Sequence, residues 1–418
     1  MVPTPLVSSG SAVPVGSAHG RRAHRTEGDL RGGDPMRFEI SKVLDAIEGR
    51  VSTDPWLTRA VLDLAEVIRY QDIDGGRPAS LLRLGMVIDA LARHLEEDSV
   101  PVYAVVHRGV LSDADLTSNE RMVVRRWADD GLVEVLDNPG GRMLEVADLL
   151  GLPVLSRARF DGLRGRYPWV ADQPGRVVAP VPAQSGPTFV AHVGGGGAPS
   201  AGDRSVAGNK LLARHWRCPE SPCALFGQGG GGGAFADLAA VSDRSPVTQP
   251  PPSLRGGVPT CPRHGARLSD AGPRPRSAVL AVRVGGLIRS RFVLTDSEPV
   301  LVGRAPEADG GIVLGQWLND EARRWISRSH LRLELRVGEI IVTDMSTNGS
   351  GIRPNGSTVE AERVPLAPRQ SRVLAEGEMV ELYPGVQVGR PDELPAGAPY
   401  TPASVMAEAP TMAMRLPR

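Results

Sequence analysis

Gly303-Arg304, then Ser327-Arg328-Ser329-His330, then Asp344-Met345-Ser346-Thr347-Asn348-Gly349 stand in that order in the last third of the chain, and their setting decides its fold. Around them Val279-Leu280-Ala281-Val282-Arg283-Val284, Leu331-Arg332-Leu333-Glu334-Leu335-Arg336 and Glu339-Ile340-Ile341-Val342 alternate apolar and polar side chains, with Gly- and Asn-rich turns between them. A strand turns successive side chains to opposite faces, so this period of two marks half-buried strands. Many short strands with such punctuation predict an all-β sandwich. The three motifs fall at run ends or in turns, where binding residues gather.

In this order, with β-runs between them, the motifs resemble the forkhead-associated (FHA) domain over residues 277–391. A lone Gly-Arg or Ser-Thr-Asn-Gly carries no weight; the ordered set does. The resemblance implies that Arg304, Ser327 and Thr347 contact the phosphate of a phosphothreonine peptide. It implies that Arg328 touches phosphate or peptide and that Asn348 holds the peptide backbone. Gly303, His330 and Gly349 would be structural, the histidine bracing the loop rather than the ligand. The residue types suit a phosphate dianion, which wants a planar fixed cation, hydroxyl donors and few competing carboxylates. Two departures concern peptide selection. The stretch between Arg304 and Ser327 is long, holding Gln316-Trp317-Leu318 and Arg323-Arg324-Trp325, and the loop before Ser346 is one residue shorter than usual.

The remaining chain organises around this module. Lys plus Arg and Asp plus Glu each number 48, so net charge is zero, which argues against bulk nucleic-acid or membrane-surface binding. No apolar run approaches the ~20 residues of a membrane span. Residues 1–36 are Ser-, Gly-, Pro- and Arg-rich without a continuous apolar core, which predicts a disordered arm and no signal peptide. Glycine (49) and proline (37) are concentrated in segments read as flexible: a linker over 171–213 with Gly194 to Gly197, a second run from Gly229 to Gly233, and a tail over 392–418.

Three cysteines cannot all pair internally, which suits a reducing, cytoplasmic setting. Cys218 and Cys223, in Cys-Pro-Glu-Ser-Pro-Cys, are followed far downstream by Cys261-Pro262-Arg263-His264. Three thiolates and one imidazole complete a tetrahedral Cys3His set, and the region has too few apolar residues to order itself. Residues 214–270 thus resemble a zinc ribbon with a glycine-filled insertion, which implies a structural zinc ion.

From residue 37 to 170 the pattern alternates between α and β: strands over Ala60–Leu64, Val102–Val106, Leu132–Leu136 and Pro153–Ser156, helices over Leu81–Glu97, Thr117–Asp130 and Arg142–Leu150. Such alternation predicts a parallel sheet covered on both faces. The runs 61–67 and 142–160, ending near Tyr167-Pro168-Trp169, resemble PIN-like (NYN) ribonucleases, which hold Mg²⁺ between converging carboxylates. Asp63 stands at the first acid of that family; Gly140-Gly141 and Ala158 replace its other acids. Glu66, Asp137 or Asp148 are the available substitutes. Three readings stay open: a degenerate, non-catalytic PIN-like domain, an unrelated α/β domain, and an active nuclease with Asp63 as its catalytic acid.

The expectation is therefore a multidomain chain: an N-terminal α/β domain, a small zinc-ribbon-like insert and a C-terminal FHA sandwich. Its function would be that of a phosphothreonine-reading adaptor acting downstream of a Ser/Thr kinase, non-enzymatic and without Mg²⁺ or Mn²⁺. The partner would be a phosphorylated protein or the chain's own tail, phosphorylated at Thr401 or Thr411. The alternative is an FHA-regulated, PIN-like metal-dependent ribonuclease.

Overall fold

The computed structural model describes residues 35–182, 187–192, 202–227, 249–308, 310–354 and 363–391. The N-terminal arm up to residue 34, both glycine runs and the tail with Thr401 and Thr411 lie outside the described residues.

The N-terminal unit runs α1 (Pro35–Glu48), β1 (Ala60–Asp63), α2 (Leu64–Val67), α3 (Leu82–Leu95), β2 (Val102–His107), α4 (Ser118–Asp129), β3 (Glu134–Leu136), α5 (Pro139–Leu150), β4 (Val154–Leu155), α6 (Trp169–Asp172), β5 (Val177–Val181) and β6 (Phe189–His192). The sheet order is β3-β2-β1-β4-β5-β6. Neighbours from β3 to β5 are parallel, and β6 closes the edge antiparallel. The strands read as continuous apolar runs because both faces are covered. Ala60, Leu62, Ala104 and Val106 pack with Leu44, Ile47, Leu84, Ile88 and Trp127 from α1, α3 and α4. Val61, Tyr103 and Val105 pack with Met143, Leu144, Ala147 and Trp169 from α5 and α6. Thr117 caps α4 in a reciprocal pair with Glu120, satisfying two amides that a helix start otherwise leaves open.

The expected linker over 171–213 is corrected here: it carries β5 and β6, then α7 (Val206–Leu212). Composition hid these elements. Pro180 reads as a strand breaker, but only Val177 and Val178 pair with β4, so the proline falls beyond that ladder. Helix α7 lies so close to α5 that a Cβ at Gly208 would sit 1.9 Å from the Leu149 carbonyl oxygen.

A connector follows: β7 (Arg214–Arg217), the hairpin β8 (Ser253–Arg255) and β9 (Val258–Thr260), and β10 (Ser269–Pro273), which pairs antiparallel with β7. It is fastened to the N-terminal unit through buried charges. Arg142 on α5 bridges Glu134 and Glu145 and donates to the Pro251 and Pro252 carbonyls. Glu145 in turn accepts from Ser253 Oγ at 2.7 Å and Leu254 N at 2.6 Å.

The C-terminal unit is a two-sheet sandwich of β11 (Ser277–Val284), β12 (Leu287–Thr295), β13 (Val300–Gly303), β14 (Ile312–Val313), α8 (Asp320–Trp325), β15 (Leu331–Arg336), β16 (Glu339–Asp344), β17 (Ser350–Pro354), β18 (Val364–Leu366), β19 (Ser371–Leu374), β20 (Glu378–Tyr383) and β21 (Val386–Gly389). One sheet orders β12-β11-β21-β20-β17-β18, the other β14-β13-β15-β16-β19. Alternate residues of facing strands, among them Leu280, Val282, Leu331, Leu333, Ile340, Val342, Val380 and Leu382, fill the space between. Edge strand β12 meets the N-terminal unit just after α3. Glu97 forms a parallel bridge with Ile288, and the Asp98 amide donates to the Ile288 carbonyl at 2.8 Å. The buried Glu97 carboxylate takes Arg59 Nε at 3.1 Å and the Arg291 fork at 2.6 and 2.9 Å, while Asp98 pairs with Arg289 at 3.1 Å.

Candidate functional site

Three loops meet at one rim of the sandwich. Gly303 ends β13 beside the Ser327-Arg328 backbone; a Cβ there would lie 1.9 Å from the Arg328 carbonyl oxygen, so only glycine admits this approach. The Arg304 amide then donates to Ser327 O at 3.1 Å and the Ala305 amide to Arg328 O at 3.2 Å. From the third loop, the Thr347 amide donates to Ser327 Oγ at 3.3 Å, and Asn348 Nδ2 donates to the Trp325 carbonyl at 2.8 Å. Arg304, Ser327, Arg328, Thr347 and Asn348 are thus brought to one edge by direct bonds between their loops. The Arg304 guanidinium is exposed and has no hydrogen-bond or ion-pair partner among the described residues. Arg328 is exposed and pairs with Glu307 at 3.0 Å.

A buried polar chain holds these loops from below. His330, wholly buried, accepts the Ser327 amide proton on Nδ1 at 3.1 Å, which leaves Nε2–H to donate to Ser350 Oγ at 3.1 Å. Ser350 Oγ donates to Asp344, whose other oxygen accepts the Ser346 amide and hydroxyl, both at 2.8 Å. Ser346 Oγ takes the Gly349 amide at 2.8 Å, and Gly349 turns the chain at φ +79°. The sequence reading missed Asp344, Ser346 and Ser350 as the frame of the pocket. Their signal was a buried acid flanked by hydroxyls within one turn, which satisfies itself locally.

Burial pushes the His330 pKa down to about 4 from 6.5. A histidine whose folded pKa is depressed loses stability as pH falls, because the unfolded chain takes the proton first. Stability should be full above pH 6.5 and fall by about 3 kcal/mol in all as pH drops towards 4. Urea midpoints measured between pH 7 and 4.5 should drop more steeply in the parent than in His330→Gln; parallel slopes would refute this.

The four metal-type side chains of the connector also converge. The ligand atoms of Cys218, Cys223, Cys261 and His264 all lie within 4.8 Å of one another. Cys218 Sγ to His264 Nδ1 is 3.4 Å, Cys261 Sγ to His264 Nδ1 is 3.7 Å, and Cys223 Sγ to Cys261 Sγ is 3.9 Å. With metal–sulfur bonds of ~2.3 Å, a tetrahedron has edges of ~3.8 Å, so the set fits one ion. Two tight turns present it: Gly227 N donates to Cys223 O at 2.8 Å, and Gly265 N donates to Cys261 O at 2.7 Å. The shared Cys223–Cys261 hydrogen bond draws the Cys223 thiol down to about 5 and pushes Cys261 up.

In the N-terminal unit, Asp63 lies at the carboxyl end of β1 in an open cleft of about 580 Å³ that Glu66, Arg69, His107 and Asp113 also line. Burial pushes the Asp63 pKa up to about 6, and Glu66 adds to the shift. One Asp63 oxygen caps α2 through the Ala65 amide at 2.9 Å. Glu66 is committed elsewhere, accepting from Tyr70 Oη, from Ser156 Oγ at 2.7 Å and from the Arg157 amide at 2.8 Å. Asp113 pairs with Arg69. Asp137 pairs with Arg108 at 2.8 Å on the surface, and neither it nor Asp148 lines this cleft. The positions of Gly140 and Gly141 face open space. The acids available to Asp63 are therefore tied into folding contacts.

No family model and no curated protein matches the chain. Solved structures similar to it include the MEK1 FHA domain, at 20% identity over 27% of this chain and 85% of that one, with a TM-score of 0.20. The FHA domain of human APLF in complex with an XRCC1 bisphospho peptide is 20% identical over 26% of this chain and 96% of that one, TM-score 0.19. The FHA domain of CT664 from Chlamydia trachomatis is 22% identical over 27% and 94%, TM-score 0.19.

Proposed function

We propose that the chain is a phosphothreonine-reading adaptor whose C-terminal sandwich is an FHA module. The observation that carries this is the meeting of three loops at one rim, which brings Ser327 and Thr347 to the same edge as Arg304, whose guanidinium is exposed and has no partner among the described residues. A dianion there gains charge-assisted hydrogen bonds without first breaking an ion pair between Arg304 and any described residue. Arg328 exchanges Glu307 for phosphate or peptide, and Asn348 exchanges the Trp325 carbonyl for the peptide backbone. The ligand is a protein phosphorylated by a Ser/Thr kinase. Zinc is the metal that suits three thiolates and an imidazole, and with four protein ligands its role is structural. A phosphothreonine peptide-library screen tests the reading: enrichment of phosphothreonine over threonine peptides that Arg304→Ala abolishes is expected, and equal capture of both would refute it.

In this reading the N-terminal unit is a non-catalytic partner to the module. The nuclease alternative rests on Asp63 with its raised pKa in a cleft. RNA incubated with the full chain and manganese should show no cleavage that Asp63→Asn removes; Asp63-dependent cleavage would reverse the ranking.

A further inference from the structure

A pocket of about 430 Å³ opens between the segment that follows β4 and helix α6. Phe160, Val170, Pro174 and Val177 give it an apolar wall, while Arg159, Asp161 and Arg164 bring charge to it. It shares no residue with the cleft at Asp63. Two features set it apart from an ordinary surface hollow. The first is backbone strain. Phe160 carries φ +54°, in the left-handed region, which a bulky side chain seldom enters and which recurs where chains clamp ligands. Phe160 packs against the core beneath α5 and α6 yet is only half-buried, so apolar surface is left for the pocket.

The second is an uneven use of its charges. Arg164 pairs with Asp161 at 3.0 Å and donates to the Arg159 carbonyl at 3.4 Å. The Arg159 guanidinium is exposed and has no hydrogen-bond or ion-pair partner among the described residues. One free fork matches one carboxylate, and the exposed Asp161 beside it disfavours a more highly charged anion. Small molecules commonly bind in pockets of ~300–1,000 Å³ with apolar walls and a few polar groups that fix their orientation. We propose that this pocket binds a small carboxylic acid with an apolar body. Arg159 takes the carboxylate, and Phe160, Val170, Pro174 and Val177 cover the body.

Titration calorimetry of the full chain with naphthoate, octanoate and their uncharged methyl esters tests the assignment. At least one acid should bind, and the one that binds more tightly names the body as aromatic or aliphatic. Its affinity should fall about tenfold or more as the methyl ester and in Arg159→Gln, since each loses the charge-assisted contact. Ala171→Trp, which fills the pocket from α6 and spares the guanidinium, should abolish binding. Both positions are exposed, so both variants keep the fold. Arg304→Ala should leave this binding unchanged, which separates it from the phosphopeptide rim. Four results would each overturn the proposal: neither acid bound at concentrations on the order of 1 mM, esters bound as tightly as acids, binding unaltered in either pocket variant, or binding lost in Arg304→Ala.

Discussion

Arg304→Ala should abolish phosphothreonine-peptide binding and leave the thermal transition where it was. The guanidinium is exposed and free of partners among the described residues, so truncating it breaks no contact among them. Surface substitutions of this kind shift stability by about 0.5 kcal/mol or less. For the ligand the loss is large. Each charge-assisted hydrogen bond is worth about 1.5–3 kcal/mol, so a bidentate pair costs on the order of a hundredfold to ten-thousandfold in affinity. Arg304→Lys should recover only part, because an ammonium keeps the charge but not the fork. Calorimetry with one phosphopeptide across the three proteins decides it. Unchanged affinity in Arg304→Ala would mean that phosphate is read elsewhere or not at all.

Cys261→Ser should release the metal and loosen the connector. Cys261 is fully buried, and Thr260 beside it donates from Oγ1 to the Ser253 carbonyl at 3.1 Å. Ser253 and Leu254 then reach Glu145 on α5, so the metal set and the α5 ion cluster share one short hairpin. Structural zinc supplies on the order of 10 kcal/mol in small zinc-folded units, far more than the few apolar side chains packed around these cysteines contribute. The parent should carry one zinc per chain by elemental analysis and the variant none. Limited proteolysis should cut the variant between residues 249 and 274 well before the parent. Parent protein purified without zinc above background would dismiss the metal.

How much the sequence disclosed depended on the range of the contact. Strand β1 was plain because a parallel strand buried on both faces is apolar at every position, as Ala60, Val61 and Leu62 are. Helix α4 was legible too: the reading over Thr117–Asp130 starts at the residue whose hydroxyl caps the helix. Strands β5 and β6 were read as linker because proline and glycine density masks two short runs whose partners are remote. The rim loops were legible as motifs, yet the frame beneath them was not. His330 to Ser350 spans 20 positions, and a hydroxyl's role there depends on the fold being complete. Least legible was the Glu97–Arg291 contact, formed across 194 positions with no local pattern at either end.

That last contact also bears on solubility. Outermost strand β12 would, in a sandwich cut loose at residue 277, present bare backbone amides and carbonyls next to Leu287 and Ile288, a template for another copy to zip onto. Within the whole chain, Glu97 and Asp98 sit against part of that border and set two carboxylates opposite Arg289 and Arg291. The N-terminal unit therefore covers part of its neighbour's open border and leaves less of it free for another copy.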